Sequence, residues 1–194
     1  MLSWDRNPPK RISGEGWELS QASEFTEFST FDCADADLND FIWNDAKLHK
    51  ELLIAETYVY RFLDDDGDPT APIAFASLSN DTIPLSEDLK GIFGLDGFEY
   101  RNFPAVKLGR LGVHKEFQKQ NIGTAILNIL KNLFITNNRT GCRFLTVNAY
   151  NQRKILDFYL RNDFQFLNEE KYRQKITQFM FYDLLRYKGE FYPT

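Results

Sequence analysis

The apolar positions of this chain fall into short blocks whose spacing switches between two and about three and a half. "EFTEFSTFD" (24–32) alternates apolar and polar residues and predicts a first strand. "DADLNDFIWNDAKLHKELL" (35–53) carries apolar residues at Leu38, Phe41, Ile42, Ala46, Leu48 and Leu52 or Leu53, a helical spacing, with Asp35 or Asp37 as the N-terminal cap. β-branched and aromatic residues make "TYVYRFL" (57–63) a strand, and "DDDGDPT" (64–70) reads as a turn. That turn is no calcium loop, because its Gly is misplaced and no carboxylate closes a twelve-residue loop. "PIAFASLSND" (72–81) is the next long strand. Residues 82–104 show no clear period and read as a long loop, a lid or substrate wall. "AVKLGRLGV" (105–113) is a buried strand, "NIGTAILNILKNLFITN" (121–137) an apolar helix, "CRFLTVNAY" (142–150) a strand and "RKILDFYLRN" (153–162) a helix. "FQFL" and "TQFMFYDLL" close the chain as an antiparallel pair. Residues 1–20 read as a polar extension, 21–187 as one mixed α/β three-layer domain, and 188–194 as a tail able to mediate a homodimer.

Composition narrows the class. The 194 residues are 43% hydrophobic with 18 Phe and 9 Tyr, enough for a sizeable core and unlike a disordered chain. No apolar run is long enough to span a membrane, and the N-terminus lacks a signal core, so a cytoplasmic protein with no membrane partner is expected. Cys33 and Cys142 are too few for a disulfide framework, and with His49 and His114 they offer no zinc set. The net charge of −5 disfavours a dedicated nucleic-acid binder, although Lys107, Arg110, Lys115 and Lys119 cluster around one stretch.

That stretch is "GRLGVHKEFQKQNIGTAIL" (109–127), a strand that enters a Gln- and Gly-marked loop and then a helix. The first turn of a helix presents free N–H groups and a partial positive charge, so this junction suits a phosphate. Neither the P-loop pattern nor the dinucleotide GxGxxG pattern is present. An ordinary strand-to-helix connection is the other reading.

The same residues resemble motif A of the GNAT acetyltransferase superfamily, in which a hydrophobic strand is followed by Gln or Arg, two residues, Gly, one residue, and Gly or Ala. Gln118 takes the first place and Gly123 the last, while Asn121 stands at the first glycine; Asn accepts left-handed backbone angles better than most residues. "NQRKILDFYLRNDFQF" (151–166) resembles the family's motif B, with Tyr159 on its tyrosine, Phe164 on its phenylalanine and Asp163 in place of its glycine. Its asparagine maps to Asn151 or Gln152. "FDCADADLNDFI" (31–42) resembles the opening of a bacterial branch that includes toxins acetylating aminoacyl-tRNA.

The resemblance implies a mixed central sheet of about six to seven strands flanked by helices. It implies acetyl-CoA as co-substrate, without a metal, and direct attack by a primary amine in a ternary complex. Backbone N–H groups of Gln118, Lys119, Gln120, Asn121, Ile122, Gly123 and Thr124 then hold the pyrophosphate, with Lys119 or Arg153 for the 3′-phosphate. Leu111, Gly112 and Val113 line the pantetheine, and Asn151 joins the cofactor site. An N–H near Val113 faces the thioester oxygen, and the Tyr159 hydroxyl protonates the leaving thiolate. Arg110 has a substrate or a structural role, and His114 is a turn residue. Asp81, Glu87, Asp88 and Glu99 are carboxylates in or beside the long loop from which no base is singled out. The acceptor is a small molecule, a protein or aminoacyl-tRNA; on the toxin reading an antitoxin is a partner. A non-catalytic acyl-CoA-binding module is the alternative of a different class.

Overall fold

The computed structural model describes residues 11–136, 140–168 and 175–191. The chain forms two compact units, 1–78 with 110–126 and 79–109 with 127–194. Among the described residues, eight strands, against about six to seven expected, are hydrogen-bonded in the order β1-β2-β3-β4-β5-β6-β8-β7. They are β1 (Arg11–Gly14), β2 (Trp17–Gln21), β3 (Glu56–Phe62), β4 (Ala74–Pro84), β5 (Asn102–Val113), β6 (Phe144–Tyr150), β7 (Gln165–Phe166) and β8 (Thr177–Asp183). Strands β4 and β5 run through both units.

In the first unit, β1 and β2 form a hairpin closed at Gly14↔Trp17, with Gly16 at φ +74° in its two-residue turn. This corrects the reading of residues 11–20 as an extension; residues 1–10 lie outside the described residues. The expected strand at 24–32 is also absent. Phe25–Phe28 is a 3-10 turn, because Phe25, Phe28 and Phe31 recur every three residues, the 3-10 period, and this outweighs the apparent alternation. The expected helix at 35–53 forms as α1 (Ala36–Asp40), one wide π turn over Phe41–Asp45, and α2 (Ala46–Glu51). Asp35 is its cap, accepting the Leu38 N–H at 3.0 Å. Phe41, Ile42 and Ala46 turn inward against Phe28, Phe31, Val59 and Phe75. Each such buried apolar side chain contributes about 1.5–3 kcal/mol. The Phe31 and Phe75 rings meet edge-on at 5.5 Å.

In the second unit, the region read as one long loop is mostly ordered structure. β4 continues to Pro84, a short helix α3 covers Glu87–Ile92, and β5 already starts at Asn102. Ser86 caps α3 by accepting the Leu89 N–H at 3.4 Å, and Glu87 and Asp88 in the first turn suit the helix N-terminus. The helix is too short for its periodicity to stand out. α4 (Ile122–Ile135) links β5 to the parallel strand β6, and α5 (Arg153–Arg161) follows β6. The antiparallel pairing of β7 with β8 is as expected. Past β8 the chain forms a helix, α6 (Leu184–Phe191), which takes in the start of the tail read from 188; residues 192–194 lie outside the described residues.

Neighbouring residues of β8 face opposite sides of the sheet. Phe181 meets Phe93 and Phe144 edge-on at 5.6 and 5.8 Å, beside α3. Tyr182 faces the ammonium of Lys131, on α4, 3.9 Å from its ring centre. Lys131 is buried and donates to the Asn162 carbonyl at 3.0 Å, tying α4 to the end of α5. A buried ammonium is tolerated here because aromatic faces and a carbonyl replace its water.

One close approach fixes a residue type. A Cβ on Gly112 would lie 2.5 Å from Cε1 of Phe75. Gly112→Ala is therefore expected to lower stability by about 1–3 kcal/mol, read by denaturant unfolding, and Phe75→Leu in the same chain should recover part of that loss.

Candidate active site

The loop after β5 is held in shape by the first unit. The His114 N–H donates to Ile73 O and the Lys115 N–H to Asp32 O, both at 2.8 Å. Lys115–Phe117 make a 3-10 turn, capped where His114 Nδ1 accepts the Glu116 N–H at 3.4 Å. His114 thus serves the turn. The Gln118 side chain folds back and donates to Cys33 O at 2.8 Å and to Val113 O at 3.1 Å. Lys119 and Asn121 then take left-handed angles, φ +65° and +61°. Asn121 adopts the conformation that a glycine at this place would allow. The first bond into α4 is Ala125 N–H to Asn121 O at 2.9 Å. The N–H groups of Ile122, Gly123 and Thr124, in the first turn of α4, precede that first bond and have no i−4 carbonyl within the helix. Alternating backbone hands followed by a helix N-terminus gather such groups into a concave anion cradle.

The segment 31–39 is the other wall of this loop. Asp32 accepts the Ala34 N–H at 2.8 Å, Asn39 Nδ2 at 2.9 Å and the Lys115 ammonium at 2.8 Å. The Lys115 hydrogen bond, then those from Ala34 and Asn39, hold the Asp32 carboxyl well below the usual carboxylate range, and Asp32 pushes the Lys115 ammonium up. Leu111, Gly112 and Val113 close β5 in the same unit. Arg110 faces Asp37 at 3.6 Å and lies 5.3 Å from the Phe41 ring centre. Arg110 and Lys115 therefore have carboxylate partners, so the basic cluster expected from sequence is partly neutralised.

Tyr159 and Asn151 belong to the second unit. Tyr159 is buried on α5, with its ring 5.1 Å from that of Phe158 and 5.3 Å from that of Phe164. Its carbonyl accepts the N–H groups of Asn162 and Phe164 at 3.0 and 3.1 Å. The turn between them places Asp163 at φ +65°, again where a glycine was expected. Burial pushes the Tyr159 hydroxyl above the ordinary tyrosine range, so it keeps its proton through neutral pH. Asn151 Nδ2 donates to Lys175 O at 3.0 Å, fixing the start of α5. Arg153 is 95% exposed and 3.7 Å from Asp157. Both cysteines are free thiols, and burial pushes Cys142 up to about 11.

The sequence reading did not single out one carboxylate, and the structure separates them. Glu87 pairs with Lys90 at 2.9 Å, while Asp88 and Glu99 are exposed. Asp81, on β4, instead accepts the hydroxyl of the fully buried Thr146 at 2.6 Å. No local motif marks that pair, whose members are distant in the chain.

Residues 75–181, more than half of the chain, match the Acetyltransferase (GNAT) domain family. The chain belongs to the GNAT acetyltransferase family, enzymes that use acetyl-CoA as acetyl donor. Its fold is similar to that of a tyrosine-to-phenylalanine mutant of KacT, with 22% identity, coverage of 91% of this chain and 99% of that one, and a TM-score of 0.72. AtaT complexed with acetyl-methionyl-tRNAfMet is similar at 17% identity, over 90% of this chain and 99% of that one, with a TM-score of 0.70. A tyrosine-to-phenylalanine mutant of the AtaT toxin bound to the C-terminus of the antitoxin AtaR and acetyl-CoA gives 17% identity, 91% and 99% coverage, and a TM-score of 0.68. Among the described residues, no helix is long and apolar enough to cross a membrane.

The left-handed angle at Asn121 yields a two-sided test. Asn121→Gly relieves a mild backbone cost and should leave acetyl-CoA affinity within about twofold of wild type. Asn121→Val places a β-branched residue at φ +61°, which costs about 1–2 kcal/mol. Calorimetric titration should show that cost as weaker acetyl-CoA binding, stability or both.

Proposed function

We propose that this acetyltransferase transfers the acetyl group to the α-amine of an aminoacyl-tRNA, by direct attack in a ternary complex. The observation that supports this acceptor is structural likeness over at least 90% of both chains to a GNAT toxin complexed with acetyl-methionyl-tRNAfMet. The 31–39 segment, whose sequence resembles the toxin branch, is built into the cofactor loop through Gln118 and Lys115, which agrees with that reading. An antitoxin is then the expected protein partner, and the cytoplasm the expected compartment.

Binding and chemistry are divided among named groups. The N–H groups of Gln118–Thr124 hold the pyrophosphate of acetyl-CoA. Leu111–Val113 offer backbone to the pantetheine, and an N–H near Val113 faces the thioester oxygen as it gains charge. The Tyr159 hydroxyl gives its proton to the departing thiolate. An α-amine has an ordinary pKa near 8, so about a tenth of it is already neutral at pH 7.

Incubation with acetyl-CoA and charged total tRNA should release thiol and leave N-acetylaminoacyl-tRNA, whereas uncharged tRNA should give neither. Thiol release with small amines or protein N-termini, and none with charged tRNA, would overturn the acceptor. Tyr159→Phe should lower kcat by about 10²–10⁴-fold with acetyl-CoA affinity retained. Because burial favours the protonated phenol, ionisation of Tyr159 should bring no fall in kcat up to about pH 10. A falling limb near pH 8 that vanishes in Tyr159→Phe would contradict the role.

A further inference from the structure

At neutral pH about nine tenths of the acceptor α-amine is still an ammonium, so a group that takes its proton raises the reactive fraction. We propose that Asp81 is that group, held in place by Thr146; this rests on the acetyl-transfer reading and adds a catalytic residue to it. Three observations within the second unit carry the assignment.

The first is the hydrogen bond itself. The Thr146 hydroxyl, fully buried, lies 2.6 Å from Asp81 Oδ2 and 3.3 Å from Val106 O. A hydroxyl has one proton, and the shorter contact, to a carboxylate, is the stronger. Asp81 is thereby fixed in one orientation while remaining half-buried, open enough to meet a ligand. The second is position along the sheet. The parallel ladder of β5 and β6 covers Ala105↔Phe144 to Leu108↔Val147, and Thr146 is paired with Lys107 one rung before its end. Beyond that rung β6 continues to Tyr150 in register with β8. Asp81 therefore stands where the ladder gives out. The third is the face. Thr146 lies opposite Phe181, on the side covered by α3. Tyr159 packs on Phe164, which lies against Tyr182 on the other side. An acid for the leaving group and a base for the attacking group are thus presented from opposite faces.

Among the described residues, charged groups on the Asp81 face include Lys107, in register with Thr146, Asp88 on α3, and two pairs farther along, Lys90–Glu87 at 2.9 Å and Arg143–Asp183 at 2.7 Å. Those pairs are occupied with each other and Asp88 and Glu99 are exposed, whereas Asp81 is a half-buried carboxylate held by a buried hydroxyl.

The proton balance is complete. The acceptor ammonium gives one proton to Asp81, which releases it to solvent. The neutral nitrogen attacks the thioester carbonyl, the C–N bond forms and the C–S bond breaks. The thiolate takes the Tyr159 proton, and the second proton lost from nitrogen replaces it. Acetyl-CoA and an ammonium yield an acetamide, CoA thiol and one proton.

The test compares wild type, Asp81→Asn and Thr146→Val in thiol release, with charged tRNA, an amino acid methyl ester and water as acceptors. Asp81→Asn should lower kcat/KM by about 10²-fold. Its rate should track the neutral fraction of the amine as pH rises, while acetyl-CoA affinity and melting temperature stay at wild-type values. Thr146→Val, which preserves volume, should give a smaller loss of the same kind, and Asp81→Glu should restore part of the rate. Rates equal to wild type with every acceptor overturn the proposal, as does a loss matched by weaker acetyl-CoA binding or a lower melting temperature. Turnover of the ester but not of charged tRNA removes only the acceptor reading and leaves the Asp81 comparison intact.

Discussion

The loop between β5 and α4 depends on what one amide does. Gln118 Nε2 spans two carbonyls, Cys33 O and Val113 O, at 2.8 and 3.1 Å. Beside it, the N–H groups of His114, Lys115 and Phe117 bond Ile73 O, Asp32 O and His114 O, so the chain leaves β5, makes one 3-10 turn and enters α4 along a fixed path. Backbone donors are seldom left unpaired, because burying them so is costly. Here a side chain shares the structural bonds with the backbone, and the first-turn donors of α4, Ile122 to Thr124, are left outside the helix's own ladder. The Asp32–Lys115 pair braces the same loop from the neighbouring segment. The shape of the loop between β5 and α4 thus rests on a side chain that ties it to Cys33 O and Val113 O.

Both departures from the family's glycine pattern prove conformational. Asn121 and Asp163 occupy left-handed angles of φ +61° and +65°. Asn and Asp tolerate that region better than other non-glycine residues. Each also has fewer unfolded conformations to lose than glycine, so part of the backbone cost is returned as a stiffer chain. The cradle and the turn beyond Tyr159 share this device.

Legibility in the sequence followed the length and regularity of each element. Helix α4, strands β3 to β6 and helix α5 carry long periodic patterns and were readable. The 25–28 turn was misread because Phe25, Phe28 and Phe31 fit a period of three that a short window confuses with alternation. Helix α3 was hidden by its brevity, although Ser86 followed by two acids marks its start. The β1–β2 hairpin was missed because its strands are short and polar. The family was readable where its motif residues are contiguous, as in 109–127 and 151–166. The tie between Gln118 and Cys33 spans 85 positions, and that between Asp81 and Thr146 spans 65. No local pattern encodes such pairings; they follow from which strands become neighbours.

Lys131 has a chemical consequence apart from its packing. An enzyme that handles a reactive thioester exposes its own amines to it. A lysine becomes an acceptor only when its ammonium loses a proton and its nitrogen meets the carbonyl carbon. The ammonium of Lys131 is covered by the Tyr182 ring and bound to Asn162 O. It is thus shielded from spontaneous acylation, to which lysines in contact with solvent remain open. The link between α4 and the helix that carries Tyr159 is therefore one that repeated turnover does not wear away.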